Sequence, residues 1–524
     1  MNRIVTVWGT VLLLLIYALF TVPKALTLTS SPFALAQYLV LTWFAPATFI
    51  VLINKRSWAA YLIVFIYIMS PEVSFGGRLL PAFFLFLWPV FLLLVGQAAI
   101  NRKPLIPRYM VNPFLLGYAL VAIIAYAKTP VFTTIGTGNA SGFRAYFIFF
   151  STLLLYPLMP GMLNDNQLRR LPVYFFTASL IVIGIKTVAF FFGNRFLNIL
   201  LGVRPEEWLV EGRLTFLAHA GGFLVLASLA MSFKPGLRIK NRIGLYALTA
   251  IGLATLAMTG TRSSVLAAGG VILLTSAMKR AWWFIGALLG GLFLVFLVVS
   301  NMDINPANPL APFLRSFTLP WLNLGGTSTN LYATWETFDW RKGMWELSLK
   351  KIHEKPLLGH GFFAEFSDLM AFYSMFGHRF IYYELTWLSE IGSGATHNLW
   401  LGPFVNFGMI GGFLFIFYAI HRSVKVVIMS RSVRPENPYN TSVVFITLWL
   451  CYIVGGSYTT GGTNATYFYL FAAISHLLEH KVSTYNKSIR TGKTPDQLSL
   501  DKSTLVYGEY QVIKTRAPSW YDTK

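Results

Sequence analysis

The sequence predicts an all-α, polytopic integral membrane protein with about 12–14 transmembrane helices and one large outside loop that itself contains helices. Three observations carry this prediction. Only 12% of the 524 residues are charged, while 55% are hydrophobic; a soluble domain carries about 25% charged residues. The mean hydropathy is +0.59. Apolar runs of spanning length, about 20 residues each, recur along the chain. A soluble enzyme is excluded.

Taken in order, the runs place spans at 4–22, 33–53, 58–71, 79–100, 111–127, 145–160, 172–192, 215–233, 244–260, 262–278, 282–300, 397–420, 441–456 and 464–479. The start, Met1-Asn2-Arg3 followed by an apolar run, resembles a signal peptide. It lacks a small-residue cleavage site and reads as an uncleaved first helix. The third run is short and broken by Pro71. This divides the chain into a transmembrane bundle of about 11 spans at 1–300, a large loop at 301–396, C-terminal transmembrane helices at 397–479 and a polar tail at 480–524. The tail has few aliphatic residues and reads as disordered. Within the loop, Trp345, Leu349 and Ile352 recur at helical spacing and predict an amphipathic helix that stops near Pro356.

The formal net charge is +22, but it does not point to nucleic acid. Lys and Arg sit in short clusters between apolar runs, such as Lys55-Arg56, Arg169-Arg170 and Lys279-Arg280. A nucleic-acid groove would need them on one continuous face. With the N-terminus inside, eighteen basic residues fall in the inside connections and eight in the short outside ones. The positive-inside bias therefore puts both termini in the cytoplasm and the 301–396 loop outside. The single cysteine, Cys451, lies in an apolar run, which excludes intrachain disulfides and cysteine-based zinc sites.

Arg213 and Arg262 each stand just outside an apolar run, at the outer start of a helix. A cation there opposes the helix macrodipole, so helix stability does not explain either one. A bound anion does, because free N–H groups and a guanidinium fork grip the same phosphate. Snorkelling to headgroups is the alternative for either arginine alone. Thr396-His397-Asn398 opens another outer helix. Thr396 is expected to cap it and to put His397 in the first turn, where the positive helix end keeps imidazole neutral, as a general base must be.

Lys186 lies inside an apolar span and is a functional candidate, or else a snorkelling or paired lysine. His219 is expected to be a buried, satisfied histidine, and Glu206, Glu207 and Glu211 a solvated loop face. Gly359-His360-Gly361 reads as a tight turn rather than a metal site, since no second ligand lies at metal spacing. No P-loop, dinucleotide fingerprint or metalloprotease signature is present.

At four places the sequence resembles the O-antigen ligase and surface-polysaccharide polymerase superfamily of bacterial envelope glycosyltransferases. They are Gly212-Arg213-Leu214-Thr215-Phe216, Thr259-Gly260-Thr261-Arg262-Ser263, the stretch from Arg341 through Trp345 to Pro356-Leu357-Leu358-Gly359-His360-Gly361-Phe362, and Thr396-His397-Asn398-Leu399-Trp400 with Gly408 and Gly411 beyond. The resemblance spans roughly 200–420. It departs after the first motif, where members often carry an Asn-Pro-Asn turn and this chain has Leu217-Ala218-His219.

The resemblance implies an inverting, metal-independent transfer, without cofactor, from an undecaprenyl-diphosphate-linked glycan at the periplasmic face of the bacterial inner membrane. Arg213 and Arg262 would bind the donor diphosphate. His397 would deprotonate or orient the acceptor hydroxyl. Arg341, Asn398, Trp345, His360 and Lys186 are supporting candidates. The large aromatic loop and basic tail favour a polymerase, whose acceptor is another lipid-linked glycan. The alternatives are a ligase that uses lipid A-core and, in another class, a polysaccharide transporter or flippase. Membrane lipids, and a chain-length regulator or flippase of the same pathway, are the expected partners.

Overall fold

Helix boundaries follow the breaks in apolar patterning. The computed structural model describes residues 56–69, 72–75, 78–100, 104–128, 140–193, 214–259, 262–278, 328–362, 398–456 and 466–491, with a few isolated positions between them. The spans expected at 4–22, 33–53 and 282–300, and the tail beyond 491, lie outside the described residues.

Helix α1 (Arg56–Met69) stops before Pro71 and is followed by a short antiparallel hairpin, β1 (Glu72–Phe75) and β2 (Arg78–Pro81), with Phe75 opposite Arg78. The apolar runs had suggested a plain connection there. Gly76-Gly77 lies between the strands in sequence, the kind of pair a two-residue hairpin turn favours. There follow α2 (Ala82–Ile100), α3 (Pro113–Lys128), α4 (Ala140–Leu153), α5 (Leu155–Met162), α6 (Asp165–Arg169) and α7 (Leu171–Phe192). The Asn164 side chain accepts from the Gln167 amide at 2.9 Å, and the Gln167 side chain accepts from the Asn164 amide at 2.8 Å. This reciprocal cap starts α6.

The second half comprises α8 (Ala218–Ser232), α9 (Ile239–Met258), α10 (Arg262–Met278), α11 (Ser328–Glu354), α12 (Gly402–Ser432), α13 (Asn440–Gly456) and α14 (Thr466–Thr491). Among the described residues, Ala145–Met162, α7, α9 and α12 are each long and apolar enough to cross a membrane, and several shorter apolar helices accompany them. The all-helical, polytopic expectation therefore holds, with one small hairpin added.

Helix α8 is the hub and packs on α7, α9, α10 and α13. Lipid tails are as apolar as leucine, so close van der Waals packing and interhelical hydrogen bonds hold such helices together. Gly221 and Gly252 let α8 and α9 approach until a Cβ on Gly252 would stand 3.1 Å from the Gly221 carbonyl oxygen. Farther along, the Ser228 and Thr249 hydroxyls meet at 2.7 Å. On the opposite flank of α8, Trp449 of α13 is buried against Phe223, Phe175 and Phe445. Outward residues are apolar instead: Phe192 is 87% exposed and Ile239 is 73% exposed. Aqueous surfaces seldom tolerate contiguous exposure of that kind, whereas acyl chains favour it.

Three expectations are corrected. The polar tail does not begin at 480 as disordered chain, because α14 continues as helix to Thr491. Val482 and Ser488 are buried on one face, and Lys481 pairs with Asp165 at 2.7 Å. Arg422, counted above among the inside connections, lies within α12 and is fully buried; it donates to Glu479 at 2.7 Å. In α11 the buried residues are Met344 and Ser348, while Leu349 is exposed. Trp345 and Ile352 do pack at this contact, beside Val405 and Leu401 of the neighbouring segment.

Candidate active site

Four helix ends converge at one end of the bundle, and two side chains tie them. Tyr452, near the end of α13, brings its hydroxyl to within 2.9 Å of where a Cβ on Gly222, in the first turns of α8, would stand. The same hydroxyl hydrogen-bonds Ser264, two residues into α10. One turn on, a Cβ on Gly455 would meet the Cα of Ala267 at 3.1 Å. The starts of α8 and α10 and the end of α13 are thus one neighbourhood. Because α12 and α13 are consecutive and pack on each other, the start of α12 faces the same end.

The backbone joins the first two motifs. The Leu214 amide donates to the Met258 carbonyl at 3.2 Å, just before the short 3-10 turn Thr215–Leu217 that leads into α8. Met258 closes α9, and the chain re-enters helix at Arg262. The residue after Arg213 therefore lies against the turn that carries Arg262. Lys186 of α7 is buried, and its ammonium donates to the Phe216 carbonyl in the 3-10 turn at 3.1 Å. An ionisable group at membrane depth needs such a partner. His219 departs from expectation: it is exposed, with its ring 6.3 Å from that of Tyr67. Its place one turn from Phe216 puts an imidazole in this neighbourhood.

The third and fourth motifs interlock. Helix α12 is broken at Gly408, whose backbone has φ 66° and ψ −169°. A break within the bilayer frees four polar groups, each costly if left unpaired. The segment after α11 supplies partners for all four. The His360 and Gly361 amides donate to the Val405 and Asn406 carbonyls at 3.1 and 2.7 Å, while the Met409 and Ile410 amides donate to the Pro356 and Leu357 carbonyls at 2.6 and 3.4 Å. Gly359 and Gly361 also have positive φ, 67° and 69°, a conformation that glycine adopts without strain. A Cβ on Gly359 would stand 2.6 Å from the Phe407 nitrogen, so the two backbones touch.

His360 holds the near side of this crossing. Its Nε2 donates to the Lys351 carbonyl at 2.9 Å and lies 3.7 Å from Glu354. Burial lowers its pKa, with Lys355 and Lys351 adding to the effect against that hydrogen bond and Glu354. A neutral, backbone-bonded imidazole of this kind is a structural latch, in accord with the tight-turn reading. Phe362 beyond it is fully buried between Tyr146 and Phe407. Arg341 and Trp345 lie on α11, which packs on α12; Trp345 borders the buried Met344–Val405 contact.

Asn398 caps the start of α12. Its side-chain oxygen accepts from the Trp400 and Leu401 amides at 2.9 and 3.1 Å, and its carbonyl accepts from Gly402. Thr396 had been expected in that role. The first-turn place expected for His397 lies outside the described residues. The whole of Arg213, Thr396 and His397, the side chain of Arg262, and Glu206, Glu207 and Glu211 lie outside the described residues.

Residues 247–416 match the family model described as O-antigen ligase. Three of the four motifs fall inside this segment, with Arg262, Arg341, Trp345, His360, His397, Asn398 and Gly408; Arg213 and Lys186 precede it. No curated protein matches the chain.

Proposed function

We propose that this polytopic membrane protein, whose residues 247–416 match the O-antigen ligase family model, is an inverting, metal-independent glycosyltransferase. It acts on polyprenyl-diphosphate-linked glycan at the periplasmic face of the inner membrane. The observation that carries this reading is the Leu214–Met258 hydrogen bond, which sets the Arg213 motif beside the turn leading to Arg262. Two arginines carried by neighbouring motifs would suit a diphosphate.

In the proposed step the acceptor hydroxyl attacks the anomeric carbon, the bond to the donor phosphate breaks, and the diphosphate leaves on its lipid. Arg213 and Arg262 stabilise the charge that builds on that leaving group. His397 takes the hydroxyl proton. Lys186, through the Phe216 carbonyl, positions the Arg213 stretch, and the crossing at Gly408 positions the His397 helix. A lipid-linked acceptor makes the enzyme a polymerase, in keeping with the large aromatic loop. The family description favours the second reading, a ligase with lipid A-core as acceptor.

Transfer by the purified protein from a lipid-linked donor tests the assignment. Arg213→Ala and Arg262→Ala are expected to lose most of the transfer at normal protein abundance. Lysine at either position is expected to rescue only in part, because a bidentate fork becomes a point charge. His397→Ala and His397→Gln are both expected to cost about 10²–10⁴-fold in rate. Wild-type transfer in both Arg→Ala variants would remove the diphosphate site, and an active Gln variant would remove the base. Capping of lipid A-core by single units in a deletion strain identifies a polymerase; its loss identifies a ligase.

A further inference from the structure

At the end of the bundle opposite the candidate active site, the structure holds a cavity of about 380 Å³ where the end of α8, the first turn of α9, the end of α12 and the start of α13 meet. That size falls within the range of small-molecule sites, roughly 300–1,000 Å³. Its lining is chemically one-sided. Lys234 and Arg242 supply two cations and Asn440 an amide, Val444 and Leu448 form an apolar wall, and no carboxylate lines it. The Nε of Arg242 is buried and has no hydrogen-bond partner among the described residues. A buried guanidinium donor left unsatisfied is unfavourable until an acceptor reaches it. The amino end of α13 adds positive partial charge at the same place.

One flank of the cavity leads to lipid. Helix α9 carries Arg242 and, on its outer face, the exposed apolar residues Ile239, Ile243 and Tyr246. A ligand that satisfies both surfaces has an anionic phosphate at one end and acyl chains at the other. Basic pockets between transmembrane helices bind lipid phosphates in this way. We propose that this cavity is a binding site for an anionic membrane phospholipid, with its phosphate held by Arg242 and Lys234 and its chains lying along Ile243 and Tyr246.

Native mass spectrometry of the full-length protein in neutral detergent, titrated with dioleoylphosphatidylglycerol or dioleoylphosphatidylcholine, tests the proposal. The wild type is expected to retain phosphatidylglycerol at least about 10-fold more tightly than phosphatidylcholine, since a guanidinium–phosphate contact is charge-assisted. Arg242→Gln combined with Lys234→Gln is expected to abolish that preference. Lys234→Glu alone, at an exposed loop position whose folding needs no packing, is expected to weaken it, and so provides the test should the double variant not fold. Arg434→Gln, a cation nearby in sequence that does not line the cavity, is expected to leave it intact. Undiminished preference in a folded Arg242 or Lys234 variant would overturn the proposal. Displacement of the lipid by millimolar inorganic phosphate would also overturn it, in favour of a site for a soluble anion.

Discussion

Backbone conformation and close approach together restrict Gly408 and Gly359. Both have positive φ; a methyl on Gly359 would strike the backbone of Asn406 to Gly408, and one on Gly408 the backbone of Leu357 and Leu358. The left-handed conformation costs an L-residue about 1–2 kcal/mol, and overpacking adds about 1–3. Gly408→Ala and Gly359→Ala are therefore each expected to destabilise by about 2–4 kcal/mol, read as a lower Tm in detergent. Gly184→Ala is the control, because an added Cβ there meets nothing within 4 Å; its Tm should not fall. A second residue-scale outcome concerns Lys186. Lys186→Met keeps the stem but removes the donor to Phe216, and is expected to reduce transfer less than Arg213→Ala does, since it acts through the backbone. Equal or greater loss would place Lys186 on the substrate itself. The motif glycines were visible in the sequence. That they meet one another, 49 residues apart, was not, because nothing local encodes a crossing.

Among the elements, α14 is the clearest case of structure that the sequence read as tail. Its last turns are polar enough to suggest disorder, yet they dock through particular contacts. His480 stacks on Tyr109 at 3.9 Å, and Lys481 and the Tyr439 hydroxyl reach Asp165 at 2.7 and 3.0 Å. Partial burial pushes the Asp165 carboxyl up, but Lys481, Tyr439 and Arg169 outweigh it and hold its pKa below the usual aspartate value. A depressed carboxylate pKa contributes stability that is present above the unfolded value, about 3.9, and that is lost as the pH falls through the folded one. Amide protection over 480–491, measured against the intrinsic exchange rate at each pH, is thus expected to be high near neutral pH and to fall below about pH 4. Asp165→Asn should produce the lower protection already at neutral pH. Unchanged protection in that variant would assign the docking to the aromatic stack alone.

At the scale of the whole molecule, sidedness decides whether the candidate site faces the donor. The basic bias leads us to propose that the loop at 301–396 is outside and both termini are inside. Cys451 is the single cysteine and is part-buried in α13, so a Cys451→Ser background permits clean labelling. Ser367→Cys is expected to react with an impermeant maleimide in intact cells, and Ser499→Cys only after lysis. The reverse pattern would invert the topology and take the active-site assignment with it. With that proposed sidedness, the basic cavity beside Arg242 would lie at the inner leaflet, among anionic headgroups.

Composition and apolar periodicity by themselves determined the membrane class, the helical fold and most described helix boundaries, because a bilayer forces every backbone polar group into helix and demands a fixed apolar length. Three of the four motifs that carry the family resemblance fall inside the segment that matches O-antigen ligase. Only the tertiary structure decided which of those motifs touch. Leu214 against Met258, Lys186 under Phe216, and the His360 turn threaded through the break at Gly408 are contacts between residues 30 to about 50 positions apart. They depend on which helix faces pack, and helices that are apolar all round give no sequence signal of the face they present. The docked end of α14 and the Arg422–Glu479 pair went unread for the same reason: each polar group was matched by a partner far away along the chain.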